Sequence, residues 1–166
     1  MTNNPQKIIP GRYLVVPRTI IFILRGKEVL LQKGSEHKKI YPGFLNGIGG
    51  HLERGEDVLS GARRELYEEA HIDCDDLRLA GTIMIDAEPG QGILLFVLTG
   101  ETVSGVPQGS DEGALEWVPV EQLIGRQVVE DVPELVAQVI KFRKTGKLFF
   151  AKYLYTESGQ RMATFY

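Results

Sequence analysis

Residues Gly50–Ile72 read GHLERGEDVLSGARRELYEEAHI, with five glutamates set among three arginines. The turn Arg54-Gly55-Glu56-Asp57 offers Asp57 as N-cap, and the apolar-periodic run behind it predicts a helix to about Ala70. On a helix that advances about 100° per residue, Glu65, Glu68 and Glu69 stand at i, i+3 and i+4 and project from one face. Each like-charge pair there costs about 0.2–0.5 kcal/mol, which an exposed surface tolerates, and Arg64 relieves part of it by pairing with Glu68. The helix alone therefore leaves two readings open, a solvated charged face or a site neutralised by a cation. A carboxylate cluster without histidine or cysteine is a hard-oxygen donor set, suited to Mg²⁺ or Mn²⁺ rather than zinc or copper.

Working outward, Tyr13–Leu24 and Glu28–Lys33 are β-branched and apolar runs joined by Arg25-Gly26-Lys27, a hairpin signature, with Pro17 marking an edge or bulge. Gly34–Pro42 is a polar loop whose Lys38 and Lys39 read as solvated. Phe44–Leu52 is glycine-rich but extended. Leu77–Ala87 and Gly92–Thr102 are strands, Ser104–Gly113 a loop and Ala114–Val118 a short strand. A helix over Glu134–Lys144 is opened by Pro133 and closed near Gly146. Lys147–Tyr155 and Arg161–Tyr166 form a second hairpin around Glu157-Ser158-Gly159. No repeat or linker divides the chain, so strands mixed with helices predict one α/β domain over 1–166.

With 166 residues, 43% of them hydrophobic and 25% charged, the composition is globular. A net charge of −3 lacks the basic excess that draws a protein to nucleic acid polymers or anionic membranes. The opening MTNNPQKIIPGR has no apolar targeting segment and no apolar run is long enough to span a bilayer, so a cytoplasmic, soluble protein is expected. Cys74 is the single cysteine, which excludes an internal disulfide, and with three histidines a Cys/His zinc site is not supported. Cys74 reads as a structural residue.

From Gly50 the spacing is five residues to Glu56, seven more, then Arg64-Glu65-Leu66-Tyr67-Glu68-Glu69-Ala70-His71-Ile72. This resembles the signature of the Nudix hydrolases at every fixed position except the last glycine, which is His71. Histidine is less at ease than glycine in a left-handed backbone, so the helix end is expected to suffer. The GxGG of Gly47–Gly50 lacks the following helix that a dinucleotide fingerprint requires, so a Rossmann reading is dismissed. Phe44–Gly50 and Gly105–Glu112 resemble segments of the MutT-like branch that hydrolyses oxidised purine nucleoside triphosphates. The resemblance covers about residues 13–143 and leaves the hairpin 147–166 as an extension. It implies an α/β/α sandwich with a mixed sheet.

The resemblance also implies roles. Glu65, Glu68, Glu69, the main-chain carbonyl of Gly49 and Glu112 are candidate ligands for Mg²⁺ or Mn²⁺, with Glu65 or Glu112 as general base. Gly50, Glu56 and Arg64 are structural positions of the motif, Glu56 pairing with Arg64 to brace loop against helix. Arg54 reads as a solvated turn residue, and Glu53 is left without a role. Asn46 either shapes the turn before Gly47 or reads a purine edge, and Asp131 either caps the helix at Pro133 or faces the base. The implied reaction is cleavage of a nucleoside triphosphate, such as 8-oxo-dGTP, to monophosphate and pyrophosphate. Alternatives are hydrolysis of ADP-ribose or another nucleoside diphosphate derivative, and non-catalytic nucleotide binding, against which the intact carboxylates argue. The aromatic-rich tail is expected to pack on the chain's own sheet, a second subunit being the alternative, so monomer and homodimer both stay open.

Overall fold

Strand β1 (Leu14–Arg25) separates two apolar interiors, because successive side chains of a strand face opposite sides of the sheet. Ile20, Phe22 and Leu24 enter one cluster and Ile21 and Ile23 the other. The computed structural model describes residues 6–37 and 40–166; Lys38 and Lys39, read above as solvated, lie outside the described residues. In chain order the elements are β1, β2 (Glu28–Gly34), β3 (Leu45–Asn46), α1 (Val58–Ala70), β4 (Asp73–Cys74), β5 (Arg78–Glu88) and β6 (Gln91–Gly100). They continue with β7 (Val103–Ser104), β8 (Gly113–Pro119), a 3-10 turn at Val120–Gln122, α2 (Val132–Thr145), β9 (Phe149–Tyr155) and β10 (Arg161–Phe165).

Among the described residues eight strands form one sheet in the order β10-β9-β5-β6-β1-β2-β3, with β8 also pairing β2. The β1–β6 and β5–β9 pairs are parallel and the others antiparallel, so the sheet is mixed. Helix α1 lays Ala62, Leu66 and Ala70 on the Ile21/Ile23 side. Helix α2 lays Val132, Leu135, Val136, Val139 and Phe142 on the Phe22 side. The result is an α/β/α sandwich, and each fully buried Leu or Phe in it contributes about 1.5–3 kcal/mol. Among the described residues no helix is long and apolar enough to cross a membrane.

Asp57 and Ser60 form a reciprocal capping box: Leu59 N and Ser60 N donate to Asp57 Oδ1 (2.8 and 3.1 Å), and Asp57 N donates to Ser60 Oγ (3.0 Å). At the other end, His71 does not spoil the cap. It adopts the left-handed conformation (φ 56°, ψ 31°) and its N–H donates to Tyr67 O. Histidine is among the side chains enriched there, and its ring rests near Tyr67 with Nδ1 3.4 Å from Gln108 O. Pro17 is not at a bulge, and it lies on a stretch of β1 whose strand partner among the described residues is β6 alone. It pairs in unbroken parallel register with Leu94. Its missing N–H faces the 48–52 segment, as the donors Thr19 N and Ile21 N do, where Leu52 N donates to Pro17 O instead.

The tail packs on the chain's own sheet, β9 running parallel to β5 with Phe149, Ala151 and Tyr153 buried against α2 and β5. The two-residue pair β4–β7, too short to show periodicity, was not foreseen. Cys74 is buried there, with Sγ 3.3 Å from Asp76 Oδ1, and burial first and Asp76 second push its thiol up to about 12. A nucleophilic thiolate is not what this setting makes.

Candidate active site

The segment 48–52 is sewn to β1 by Ile21 N to Ile48 O (2.7 Å), Thr19 N to Gly50 O (2.8 Å) and Leu52 N to Pro17 O (3.1 Å). This course brings the glycines against both β1 and α1. At Gly49 (φ 142°) a Cβ would collide with the Thr19 carbonyl, and at Gly50 a Cβ would lie 2.7 Å from Glu65 Oε1. Glycine at both places lets the backbone press onto β1 while the Glu65 carboxylate lies on the backbone.

The acidic face divides. Glu65 and Glu69 are buried, at 8% and 5% exposure, and Gly49 N donates to Glu69 Oε2 (3.2 Å). Glu68 is exposed and accepts from Arg64 Nη1 (3.0 Å), which also donates to Glu65 Oε1 (2.9 Å). Arg64 and Glu56, expected to pair, do so through Nε to Oε1 (2.7 Å) and Nη2 to Oε2 (3.0 Å), and Nη2 also reaches the His51 carbonyl (2.9 Å). The guanidinium holds the Glu56 carboxyl down at about 2. Burial raises the pKa of Glu65; Arg64 works against this, and the charges of Glu68 and Glu112 reinforce it. Glu112 enters from the loop before β8, exposed, its carbonyl accepting from Ser35 N (2.9 Å). Among the described residues no three acidic, histidine or cysteine side chains form a ready cation cage.

A cleft of about 810 Å³ is lined by Gly49, Gly50, Glu65, Glu69 and Glu112. The lining also includes the apolar Ile20, Ile85, Ile93 and Leu95 and the polar Asn46 and Asp131. Asn46 Oδ1 accepts from Gly47 N (2.8 Å), so the amide does shape that turn, and its NH₂ is left as a donor. Asp131 stands at the N-cap of α2, but its side chain makes no capping bond; only its carbonyl accepts from Leu135 N (2.9 Å). The capping role is thus corrected, because the near-helical backbone (φ −91°, ψ −10°) does not aim the carboxylate at the first turn. Burial raises the Asp131 pKa, opposed by the Arg161 charge.

Residues without a sequence signal also line the cleft: Arg18, His51, Glu53, Tyr153 and Arg161. Arg18 Nε donates to His51 Nε2 (2.9 Å), and partial burial and the Arg18 charge lower the histidine pKa. Tyr153 is 1% exposed; its Oη has no partner in hydrogen-bonding geometry among the described residues, although burial and the nearby Asp131 charge raise the phenol's pKa. Tyr153 was legible only as an aromatic that seeks cover, whereas Glu68, singled out by spacing, does not line the cleft. Arg54 is exposed, as expected of a turn residue.

Comparison with known proteins adds to this geometry. The model of the NUDIX domain matches residues 15–139. The chain is 29% identical over 106 residues to an oxidized purine nucleoside triphosphate hydrolase of Mus musculus, covering 63% of this chain and 67% of that protein. It is 27% identical over 114 residues to the protein of the same name from Danio rerio, covering 68% and 72%. Among solved structures, a MutT protein from Bacillus halodurans superposes with a TM-score of 0.74 at 20% identity, covering 91% of this chain and 97% of that one. The Nudix domain of Shewanella oneidensis NrtR, crystallised with ADP ribose, gives 0.64 at 18% identity, covering 86% and 95%. The structural likenesses establish the fold; the family match over residues 15–139 establishes that the chain belongs to the Nudix family, as a hydrolase acting on diphosphate linkages.

Proposed function

We propose that this Nudix pyrophosphohydrolase takes a purine nucleoside triphosphate, an oxidised one such as 8-oxo-dGTP included, and releases the monophosphate and pyrophosphate. The observation that carries the reading is the cleft itself. Its lining combines the buried carboxylates and the glycine backbone with the polar Asn46 and Asp131 and the apolar Ile20, Ile85, Ile93 and Leu95, in a volume of about 810 Å³. The names of the mouse and zebrafish relatives support the same substrate class.

The family typically requires a divalent metal, and the donor set fits a hard cation. The buried Glu65 carboxylate lies where a Cβ at Gly50 would meet it, and the buried Glu69 carboxylate accepts from Gly49 N. Glu65, Glu69 and the Gly49 carbonyl would hold Mg²⁺ or Mn²⁺, with Glu68 and Glu112 as further ligands. When bound there, the cation offsets the negative charge of the diphosphate and of the phosphate that departs. The protein's own part is to orient water and take its proton, by Glu65 or by Glu112, both of which line the cleft. Arg64 keeps Glu65 fixed through Nη1 while Glu56 fixes Arg64. In the same cleft, the Asn46 NH₂ donates to a base acceptor and Asp131 accepts from a base N–H.

The test is kcat/KM for 8-oxo-dGTP, dGTP and dCTP in wild type and Asn46→Ala. Base reading predicts a selective loss for the preferred purine of about 1–3 kcal/mol. An equal fall across all three would leave Asn46 with the Gly47 turn alone.

A further inference from the structure

The match to the Nudix domain ends at residue 139, before the C-terminal hairpin begins. Parallel pairing of β9 with β5 nevertheless carries that hairpin to the cleft, placing Tyr153 opposite Ile85 in register and both residues in its lining. Residues Phe149, Ala151 and Tyr153 alternate inward along β9, and the third of them brings a hydroxyl rather than a plain apolar ring. A tyrosine hydroxyl in a dry position normally finds a partner. This one meets no partner in full hydrogen-bonding geometry among the described residues, although the Asp131 carboxylate lies close enough to interact with it.

Arg161, on β10, fixes that ring. Its Cζ lies 4.7 Å from the Tyr153 ring centroid. Its nitrogens contact Glu130 Oε1 (3.5 Å from Nε) and Glu134 Oε2 (3.3 Å from Nη1). The guanidinium is thereby tied to the N-terminal turn of α2, next to Asp131, and the phenol is clamped between its neighbours.

We propose that Tyr153 is a specificity-determining residue of the nucleotide cleft and Arg161 the residue that positions it, so that the hairpin beyond the family's common domain selects the base. The inference rests on the nucleotide reading given above. In this pairing Asp131 is the acceptor and the Tyr153 hydroxyl the donor. A neighbouring donor and acceptor complement a base edge in which a ring carbonyl adjoins a ring N–H. Guanine and hypoxanthine carry that lactam edge. Adenine presents an amino group beside an unprotonated ring nitrogen and would leave the buried phenol and carboxylate mismatched, the situation in which a polar site rejects an analogue most strongly.

The experiment is calorimetric measurement of the dissociation constants of GMP, IMP and AMP, with kcat/KM for dGTP and dATP alongside. Wild type is expected to favour GMP and IMP over AMP. Tyr153→Phe keeps the packing and removes only the hydroxyl; it should lower the GMP:AMP affinity ratio about tenfold, the loss of one hydrogen bond. Arg161→Lys leaves the phenol in place but loses the planar stack, and should lower the same ratio by a smaller factor, which a merely structural role would not do. A GMP:AMP ratio unchanged in both variants, or a wild type without preference for the lactam bases, overturns the inference. An enzyme that binds GMP selectively yet hydrolyses no triphosphate instead overturns the proposed reaction and leaves the base selection standing.

Discussion

Arg64 and Glu56 form two side-by-side hydrogen bonds, Nε to Oε1 at 2.7 Å and Nη2 to Oε2 at 3.0 Å, and the third nitrogen of the same guanidinium holds Glu65 and Glu68. One arginine thus ties the loop before α1 to the helix that carries the acidic face. A planar fork is needed for this, and lysine could not replace it.

The pair has a pH signature. The folded-state carboxyl of Glu56 lies at about 2, below its ordinary 4.5. A depressed carboxylate contributes stability that is present in full above the unfolded-state value and is lost as pH falls through the folded-state value. Glu56→Gln should therefore lower Tm at neutral pH, and the gap from wild type should close as pH falls from about 4.5 towards 2. Thermal melts of both proteins across that window measure it; a gap of constant size would mean the pair adds no charge-dependent stability.

The divided acidic face predicts unequal effects of like substitutions. Glu69→Gln removes a buried charge bonded to Gly49 N, and turnover should fall about 10²-fold or more, with a raised Mg²⁺ requirement. Glu68 is exposed and held by Arg64, so Glu68→Gln should do less. Mg²⁺ titrations of activity in the two variants, with melting curves as the control for folding, would expose an error if Glu69→Gln were near normal at low Mg²⁺.

Truncation in the tail should damage the whole fold. Phe149 is 4% exposed within the cluster shared with α2, and Phe149→Ala should cost about 3–5 kcal/mol by leaving a cavity. Deletion after Gly146 should be worse still. Urea unfolding gives the number; unchanged melting with conversion of a dimer to a monomer would assign the hairpin to a subunit interface.

Helix α1, its Asp57 N-cap and the strand character of β1 were legible because each is written in local periodicity or local side-chain chemistry. The acidic face was legible as a set but not in its division, since Glu65 and Glu69 are buried against the Gly49–Gly50 backbone, a contact distant in sequence, while Glu68 stays outside. Asp131 misled for a related reason: a residue type at a cap position does not reveal which way the backbone turns the carboxylate. Tyr153 and Arg161 were out of reach because they join the cleft through the pairing of β9 with β5, a contact distant in sequence that no spacing encodes.

The most direct test incubates wild-type protein and Mg²⁺ with 8-oxo-dGTP, dGTP, dCTP and ADP-ribose and separates the products. Nucleoside monophosphate and pyrophosphate, formed fastest from a purine triphosphate, are the expected result. Cleavage of ADP-ribose alone, or no Mg²⁺-dependent cleavage of any triphosphate, would contradict it.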